Sequence, residues 1–351
     1  MPLGSFHFVR NAAMGAFAIL LLAQGPAVAD DALSFLLGGT TPPLMNSLNL
    51  VADGAGFYKD EHLKVTTTVV QDTNMALKMC ASGQADICPM GVEPALTQYG
   101  QGVHLKMFLT RASKFGYVIV VLDGSPIKTL TDFKGKSIGV HALNVGSSAS
   151  LATQSSLAAA GVTPADYKLV AIGMTDSATG ALTSGQVDAA ALPLYELIPY
   201  LVGGMKLRVF HHSTLENSAN AGYLAAPSVL ASKHHAMARF SRAIVKAALL
   251  IHDHPDAAGR ALLTALHQPF TDADVQRKVA EFTVWQNDLP ASDPDSRRIA
   301  TPSMAGMQAY IQLLKNAGAI KTLVQASDVV TDEFSDFAND FDHKAIENFA
   351  H

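Results

Sequence analysis

Segments with strand-like composition alternate with segments of helical spacing from residue 33 to residue 230 of this chain. Leu63–Val70 is rich in β-branched residues, which favour extended strands. Gly146–Ala160 has helical spacing instead and is followed by Gly161, a residue type that commonly ends helices. Because two parallel strands need a crossover connection, this alternation predicts parallel sheets covered by helices.

The pattern becomes helical from Lys233 onward. Helical spacing is found in the segments Lys233–His252, Asp256–Leu266, Asp272–Val284 and Pro302–Asn316. A chain of 351 residues is long enough for two lobes that each have a core. We therefore predict a first lobe that begins at 30–122, a second lobe at 123–222, and a return to the first lobe with C-terminal helices at 223–351. The crossings near Tyr117–Asp123 and Gly222–Ser232 are the predicted hinges.

The N-terminus has the pattern of an export signal. Arg10 precedes an apolar stretch at Ala12–Ala23, and the small-residue motif Ala27-Val28-Ala29 follows. The apolar stretch is short for a transmembrane helix, which is the alternative interpretation. We predict a signal peptide over 1–29 with cleavage after Ala29, and no Cys stands there to carry a lipid.

Composition and charge argue against several classes of function. The formal net charge is −5 and the basic residues are scattered, which is unlike a nucleic-acid-binding surface. The thirteen histidines include His211-His212 and His234-His235, but they form no ligand set with Cys, Asp or Glu at metal spacing. The motifs of serine hydrolases, zinc proteases and P-loop proteins are absent from the sequence. We predict no nucleic-acid partner, no metal, no cofactor and no enzymatic activity.

Four short phrases occur in order and carry a family resemblance. They are GFYKDEHLKV at Gly56–Val65, ASGQADI at Ala81–Ile87, LTDFKGKSIGV at Leu130–Val140 and SGQVDAA at Ser184–Ala190. Together they resemble the corners of type II periplasmic solute-binding proteins. The most similar group serves ATP-driven (ABC) importers of nitrate, sulfonates, taurine and thiamine-pyrimidine precursors.

The resemblance implies an α/β fold with two lobes. Each lobe is expected to be a mostly parallel sheet flanked by helices, with a ligand cleft between the lobes. The expected function is capture of a small organic anion, a sulfonate or carboxylate, in the periplasm by a monomer that docks on an ABC permease membrane subunit. The alternatives are binding of an aromatic or pyrimidine-type heterocycle, a ligand sensor, or a relative of a pyrimidine-forming enzyme. That enzyme carries the motif CCCFC, whereas this chain has only Cys80 and Cys88.

Three residues within the four phrases have expected structural roles. Asp86 and Asp188 each precede a strand, where a carboxylate accepts hydrogen bonds from turn N–H groups. The corner before Leu63 usually has Gly in the family, and this chain has His62 there. That histidine must take a left-handed conformation or change the turn.

Candidate binding residues follow from the rule that open α/β sheets bind ligands outside the carboxyl ends of their strands. Loops after four predicted strands qualify, and a helix start in the second lobe adds free N–H groups and hydroxyls. The candidates are Thr40, Thr41, Met90, Gly91, Arg111, Gly146, Ser147, Ser148, Tyr195 and Glu196.

Each of these candidates has an alternative role that the sequence leaves open. Gly146-Ser147-Ser148 is either an anion pocket or a simple helix cap, and Thr40 and Thr41 either donate to a ligand or cap a helix. Tyr195 either stacks on a flat ligand or packs in the core. Arg111 either pairs with a ligand carboxylate or sulfonate or plays a structural part.

The two cysteines lie near the end of a predicted helix and in the strand that follows it. An oxidising compartment would let Cys80 and Cys88 form a disulfide. The alternative is that both are small buried hydrophobic residues. The spacing by itself does not decide between these two interpretations.

Overall fold

The computed structural model describes residues 1, 30–38, 43–112, 114–143, 147–215, 218–285 and 298–347. Most of the predicted signal peptide, residues 2–29, lies outside these ranges. The candidate site residues Thr40, Thr41 and Gly146 also lie outside the described residues.

The strands of the described chain alternate with helices as far as β10. The strands are β1 (Asp31–Gly38), β2 (Leu63–Val70), β3 (Cys88–Gly91), β4 (Lys106–Thr110), β5 (Tyr117–Leu122), β6 (Ser137–Val140), β7 (Lys168–Ala171), β8 (Ala189–Pro193), β9 (Leu207–Phe210) and β10 (Ala221–Ala225).

The α-helices of the first two hundred residues are mostly short. They are α1 (Ser47–Gly54), α2 (Phe57–Asp60), α3 (Thr73–Ala81), α4 (Glu93–Gln98), α5 (Ser148–Ala159), α6 (Asp176–Thr183) and α7 (Leu194–Val202). Those that follow β10 are α8 (Pro227–Ser232), α9 (His234–Asp253), α10 (Pro255–Ala265), α11 (Asp272–Trp285), α12 (Met304–Asn316), α13 (Ala326–Val329), α14 (Ser335–Asn339) and α15 (Lys344–Glu347).

The two lobes share one strand order. Lobe II contains the five-stranded sheet β7-β6-β8-β5-β9 with helices α5–α7. Lobe I contains the pair β2-β1 and the sheet β3-β10-β4, and hydrogen bonds between β1 and Ile87, just before β3, join them. The order in lobe I is therefore β2-β1-β3-β10-β4, in which β10 occupies the place that β5 has in lobe II.

Each sheet is mostly parallel, as expected, and the crossover strand is the one strand of the described sheet that runs against the others. In lobe II, β6 pairs in parallel with β7 and β8, but β5 is antiparallel to both of its neighbours. In lobe I, β10 is likewise antiparallel to β3 and β4. Each crossover strand arrives from the other lobe and enters its sheet at the carboxyl edge, so it must run against the strands that end there.

The position of β5 differs from the domain boundary predicted at residue 122. Tyr117–Leu122 pairs within the lobe II sheet, where Tyr117 lies opposite Pro193. Ala221 and the rest of β10 pair within lobe I, opposite Gly91. The described residues between the lobes are 111–112 and 114–116 in the first connecting segment, and 211–215 and 218–220 in the second.

Side chains of β5 alternate between the two faces of its sheet, as the pleat of a strand requires. Ile119 and Val121 join one hydrophobic cluster, and Val118 and Val120 join the cluster on the opposite face. Helices cover both faces, which accounts for the uniformly apolar sequence of β8.

The aspartates of the SGQ-x-D phrases anchor β1 in lobe I and β6 in lobe II. The Asp86 Oδ2 accepts hydrogen bonds from the Ser34 N–H and hydroxyl at 2.7 and 2.9 Å. Asp188 accepts the same pair of bonds from Ser137 at 2.8 and 2.7 Å, and they lower the pKa of Asp188. Asp86 also forms an ion pair with Lys233 at 2.8 Å. The predicted structural role of both carboxylates agrees with these contacts.

His62 takes the first of the two expected courses at its corner. It adopts the left-handed conformation, with φ of 51°, in the position that usually holds Gly. Asp72 caps α3, since its carboxylate accepts the Met75 N–H at 2.7 Å.

Cys80 and Cys88 form a disulfide that joins α3 to the first residue of β3. Their Cα atoms are 6.4 Å apart, within the range that a disulfide spans. Both residues are completely buried in the lobe I core. The bond therefore fixes the strand whose far end, Gly91, reaches the cleft.

Candidate ligand-binding cleft

A pocket lies where the strand tips of the two lobes meet. Gly91 and Arg111 contribute from lobe I, at the ends of β3 and β4, and Tyr195 contributes from lobe II. The lining residues are Gly91, Arg111, Ala112, Lys114, Phe115, Gly116, Tyr117, Pro193, Leu194, Tyr195, Ala221 and Trp285. The space among these residues, together with the adjoining open solvent, is about 560 Å³.

Arg111 has an unpaired nitrogen in this pocket. Its Nη1 atom is buried and has no hydrogen-bond partner among the described residues. The guanidinium carbon lies 5.6 Å from the centre of the Tyr195 ring, so the cation faces an aromatic side chain of the other lobe. A buried cation without a counter-ion is costly, and an anionic ligand group would relieve that cost.

Aromatic side chains form much of the remaining wall. Tyr117, Tyr195, Phe115 and Trp285 all line the pocket. Burial raises the pKa of Tyr117 and of Tyr195, although the Arg111 charge opposes the effect at both. Both phenols therefore stay protonated at neutral pH and can donate hydrogen bonds.

The serines at the start of α5 have different positions. Ser147 caps the helix, since its hydroxyl accepts the Ser150 N–H at 3.4 Å. The Ser148 hydroxyl instead lies close to Gly91 of lobe I, such that a Cβ on Gly91 would come within 2.9 Å of it. The geometry of Ser147 matches the cap alternative, while Ser148 faces the opposite lobe.

Glu196 is buried behind Tyr195 and joins three loops of lobe II. Its Oε2 lies 3.1 Å from His141 Nε2 and accepts the Thr175 N–H at 3.2 Å. Its Oε1 has no partner among the described residues. Glu196 and Tyr195 line a second hollow of about 730 Å³ together with Lys278 of α11.

The candidate residue Met90 does not line either space, since its side chain packs in the lobe I core.

Helices of the two lobes contact each other around the cleft. Helix α5 of lobe II packs against α12 and α4 of lobe I, and Leu151 and Ala152 join the lobe I core. Helix α7 of lobe II packs against α11, which ends at Trp285.

Several residues that line the pocket could not be identified as candidates from the sequence. Phe115 and Tyr117 belong to the crossover and the strand that follows it, and Trp285 comes from a helix about 90 residues after Tyr195. No local pattern marks them. Glu93 was only weakly indicated as a site residue, because it is an acidic residue just after the candidate residues Met90 and Gly91. It is fully buried beside the cleft.

No group of three or more His, Cys, Asp or Glu residues within the described ranges could hold a metal ion. No helix within them is both long and apolar enough to cross a membrane.

This arrangement of two α/β lobes around a cleft defines a periplasmic-binding-protein fold. The solved alkanesulfonate-binding protein SsuA from Xanthomonas axonopodis pv. citri, with bound MOPS, has a TM-score of 0.62 with this chain at 19% identity. The match covers 87% of this chain and 99% of that chain. A family model described as NMT1/THI5 like matches residues 47–258, and the chain belongs to this family.

Two further relatives differ in function. The riboflavin-binding protein RibY of Chloroflexus aurantiacus is 24% identical over 248 residues, which cover 69% of each chain. The desulfurization enzyme DSZB has a TM-score of 0.57 at 18% identity and covers 88% of this chain and 98% of that chain. The fold by itself therefore hosts both binding proteins and an enzyme.

Proposed function

We propose that the protein is the extracytoplasmic solute-binding component of an ABC importer and that it captures a small organic anion between its lobes. The unpaired Nη1 of Arg111 in an interlobe pocket is the observation that carries this proposal. A carboxylate or sulfonate would supply the missing partner in bidentate geometry. The relatives named as sulfonate-binding support the same class of ligand.

The proposed mechanism is closure of the lobes. Arg111 belongs to lobe I and Tyr195 to lobe II, so a ligand held by both stabilises the form in which the lobes are close together. Motion would be concentrated in the two connecting segments. The closed monomer would then dock on the membrane permease.

Export would place the protein in the compartment where this function is performed. We propose that residues 1–29 form a signal peptide cleaved after Ala29, in agreement with the disulfide in the mature chain. Periplasmic relatives of the same fold support this location.

A flat aromatic ligand is the second candidate. Trp285, Tyr195, Tyr117 and Phe115 line the pocket, and stacking on such rings would hold a heterocycle. RibY, whose name records riboflavin binding, is a relative that favours this candidate. An acid with an aromatic ring would satisfy both Arg111 and these side chains.

A thermal-shift screen of the mature protein tests the ligand class. The panel contains aliphatic and aromatic sulfonates, aromatic carboxylates, nitrate, pyrimidines and riboflavin. A bound ligand raises the melting temperature by mass action, and an acid that binds should also reduce the radius of gyration in small-angle scattering. Binding of uncharged heterocycles without any acid would reject the anion, and turnover of a bound compound would restore the enzyme alternative.

A further inference from the structure

We propose that Glu93 is a second ligand-recognition residue, which binds an N–H or O–H group on the same molecule whose acidic group pairs with Arg111. The ligand class then narrows to organic acids that also carry a hydrogen-bond donor, such as amino- or hydroxy-substituted acids. This inference rests on the proposed function of the cleft.

The Glu93 carboxyl is fully buried and only half satisfied. Its Oε1 accepts hydrogen bonds from the Tyr310 hydroxyl at 2.7 Å and from the Asn220 amide. Its Oε2 has no partner among the described residues. The Ser148 hydroxyl lies near enough to favour the ionised form, but it does not complete a hydrogen bond of ordinary geometry. A buried carboxylate oxygen without a donor is costly, so the position favours a ligand that supplies one.

The free oxygen lies directly behind a residue of the pocket wall. Gly91 lines the Arg111 pocket, and a Cβ atom at Gly91 would collide with Glu93 Oε2. Because Gly91 has no Cβ atom, Oε2 can lie close to the backbone of a pocket-lining residue, although Glu93 itself is not part of the lining. The Ser148 hydroxyl, which lies near the same position of Gly91, belongs to lobe II. Separation of the lobes would therefore expose Glu93 Oε2, and closure would bury it together with the donor group of the ligand.

The same carboxyl is connected to both segments that link the lobes. The Asn220 amide that donates to Glu93 also accepts the Gly116 N–H at 2.8 Å through its Oδ1. Gly116 lies in the first connecting segment and Asn220 in the second. The Tyr310 ring contacts Phe115 of the first segment, with ring centroids 5.1 Å apart. A ligand that binds Glu93 would thus contact a side chain that is linked through Asn220 and Tyr310 to both connecting segments.

The free and bound states of the protein should differ in protonation. Burial raises the pKa of Glu93 in the free protein, while Tyr310, Asn220 and Ser148 oppose the shift. The titratable groups that face it are the hydroxyls of Tyr310 and Tyr117, whose pKa values are themselves raised, so they stay neutral. A ligand donor at Oε2 stabilises the carboxylate and lowers the pKa again. Binding should therefore release a proton, and affinity should increase as the pH rises toward the raised pKa of the free protein.

The experiment compares matched acids on the mature protein. Benzoate and benzenesulfonate are titrated by calorimetry beside their 3-amino, 4-amino, 3-hydroxy and 4-hydroxy derivatives. At least one derivative should bind about tenfold or more tightly than its parent acid. It should also release protons, measured in two buffers of different ionisation enthalpy. Glu93→Gln, which keeps the shape and the Oε1 contacts, should reduce the gain to less than about threefold and remove the proton release.

The control and the outcomes separate this inference from the proposed function. Glu333→Gln, at an exposed position, should leave the affinities unchanged. If parent acids bind through Arg111 and no derivative gains affinity, the Glu93 proposal is overturned and the anion site stands. A gain that persists in Glu93→Gln would overturn the Glu93 proposal in the same way. If none of these acids binds, the Glu93 proposal is overturned, and the wider thermal-shift panel decides the anion site separately. The comparison of parent and substituted acids needs only the unmodified protein, so it decides the matter even where Glu93→Gln does not fold.

Discussion

The Arg111 guanidinium of lobe I faces the Tyr195 ring of lobe II across the cleft, with 5.6 Å between the guanidinium carbon and the ring centre. The sequence indicates each of these two residues as a candidate for ligand binding, and this contact shows that they lie in one site. It also leaves Nη1 of the guanidinium without a partner among the described residues, which makes Arg111 the most direct target for mutation.

Replacement of Arg111 should impair binding without harming the fold. We expect Arg111→Ala to weaken binding of the acid found in the screen by about 100-fold, because a buried charge-assisted pair is lost. The free energy of unfolding of the free protein should stay the same or rise, since a buried N–H donor group without a partner among the described residues is removed. Calorimetry and urea unfolding measure the two effects.

Two further variants support the Arg111 measurement. Arg111→Lys keeps the charge but loses the fork of donors, so it should recover only part of the affinity. Arg260→Ala removes an exposed guanidinium that pairs with Asp272 at 3.0 Å and serves as the control. A large loss of stability in Arg111→Ala, with affinity retained, would show that Arg111 is structural.

The only tryptophan of the chain should report binding. Trp285 lines the pocket and is 4% exposed. A ligand that enters the cleft changes the polarity around the indole, so we expect a saturable change in tryptophan emission with the same Kd as calorimetry. Trp285→Phe should lose the optical signal while the thermal shift persists. Emission that stays constant during calorimetric saturation would place the ligand elsewhere.

Gly91 should tolerate no side chain. In Gly91→Ala the new Cβ would collide with Glu93 Oε2 and approach the Ser148 hydroxyl, which would push the lobes apart at the pocket. We expect ligand affinity to fall by about tenfold or more, because the site can no longer close around the ligand. The matched control is Gly180→Ala in α6, where a Cβ meets open space. Equal affinities of the two variants would refute this role for Gly91.

The disulfide should stabilise lobe I. Replacement of both cysteines by serine, Cys80→Ser with Cys88→Ser, removes a link that closes a short loop. We expect the free energy of unfolding to fall by about 2–3 kcal/mol, the usual effect for a loop of this size. Urea unfolding of oxidised, reduced and double-serine proteins measures it. A reduced protein as stable as the oxidised one would count against this expectation.

A buried histidine should make the fold sensitive to mild acid. Burial lowers the pKa of His212 to about 4, and its Nδ1 accepts the Leu215 N–H at 3.1 Å. Because the unfolded chain binds a proton near pH 6.5 and the folded chain does not, stability is full above about pH 6.5 and declines as the pH falls toward 4. The loss should be on the order of 2–3 kcal/mol.

The His212 effect can be isolated by substitution. In His212→Asn a carbonyl replaces Nδ1 as acceptor and nothing titrates, so the decline between pH 6.5 and 4 should become shallower. Urea unfolding at half-unit pH steps measures the slope for both proteins, with pH 8 as the common reference. Parallel slopes would assign the acid sensitivity to other groups.

The fold was largely predictable, because local patterns encode it. Strand β2 lies at Leu63–Val70, as the sequence predicts, since β-branched runs bounded by turn residues have few alternatives. The direction of β5 was not predictable. Its pairing depends on residues 70 or more positions away, in β8 and β9.

The sequence could predict the residues of the site that lie at the ends of strands, but not those that come from other parts of the chain. The carboxyl-end rule placed Gly91, Arg111 and Tyr195 at the cleft, and they do line one pocket. It also proposed Met90, whose side chain turns into the core. Residues from the connecting segments and from α11 complete the wall, and no local periodicity marks them.

The sequence by itself determined the family, the alternation of strands and helices, and the corners at which Asp86 and Asp188 anchor the strands. These features depend on neighbours along the chain, where backbone propensity and hydrogen-bonding side chains act at short range. Only the tertiary structure decided that Arg111 Nη1 and Glu93 Oε2 are left unpaired among the described residues. An unpaired atom is defined by every group packed around it, and those groups come from both lobes.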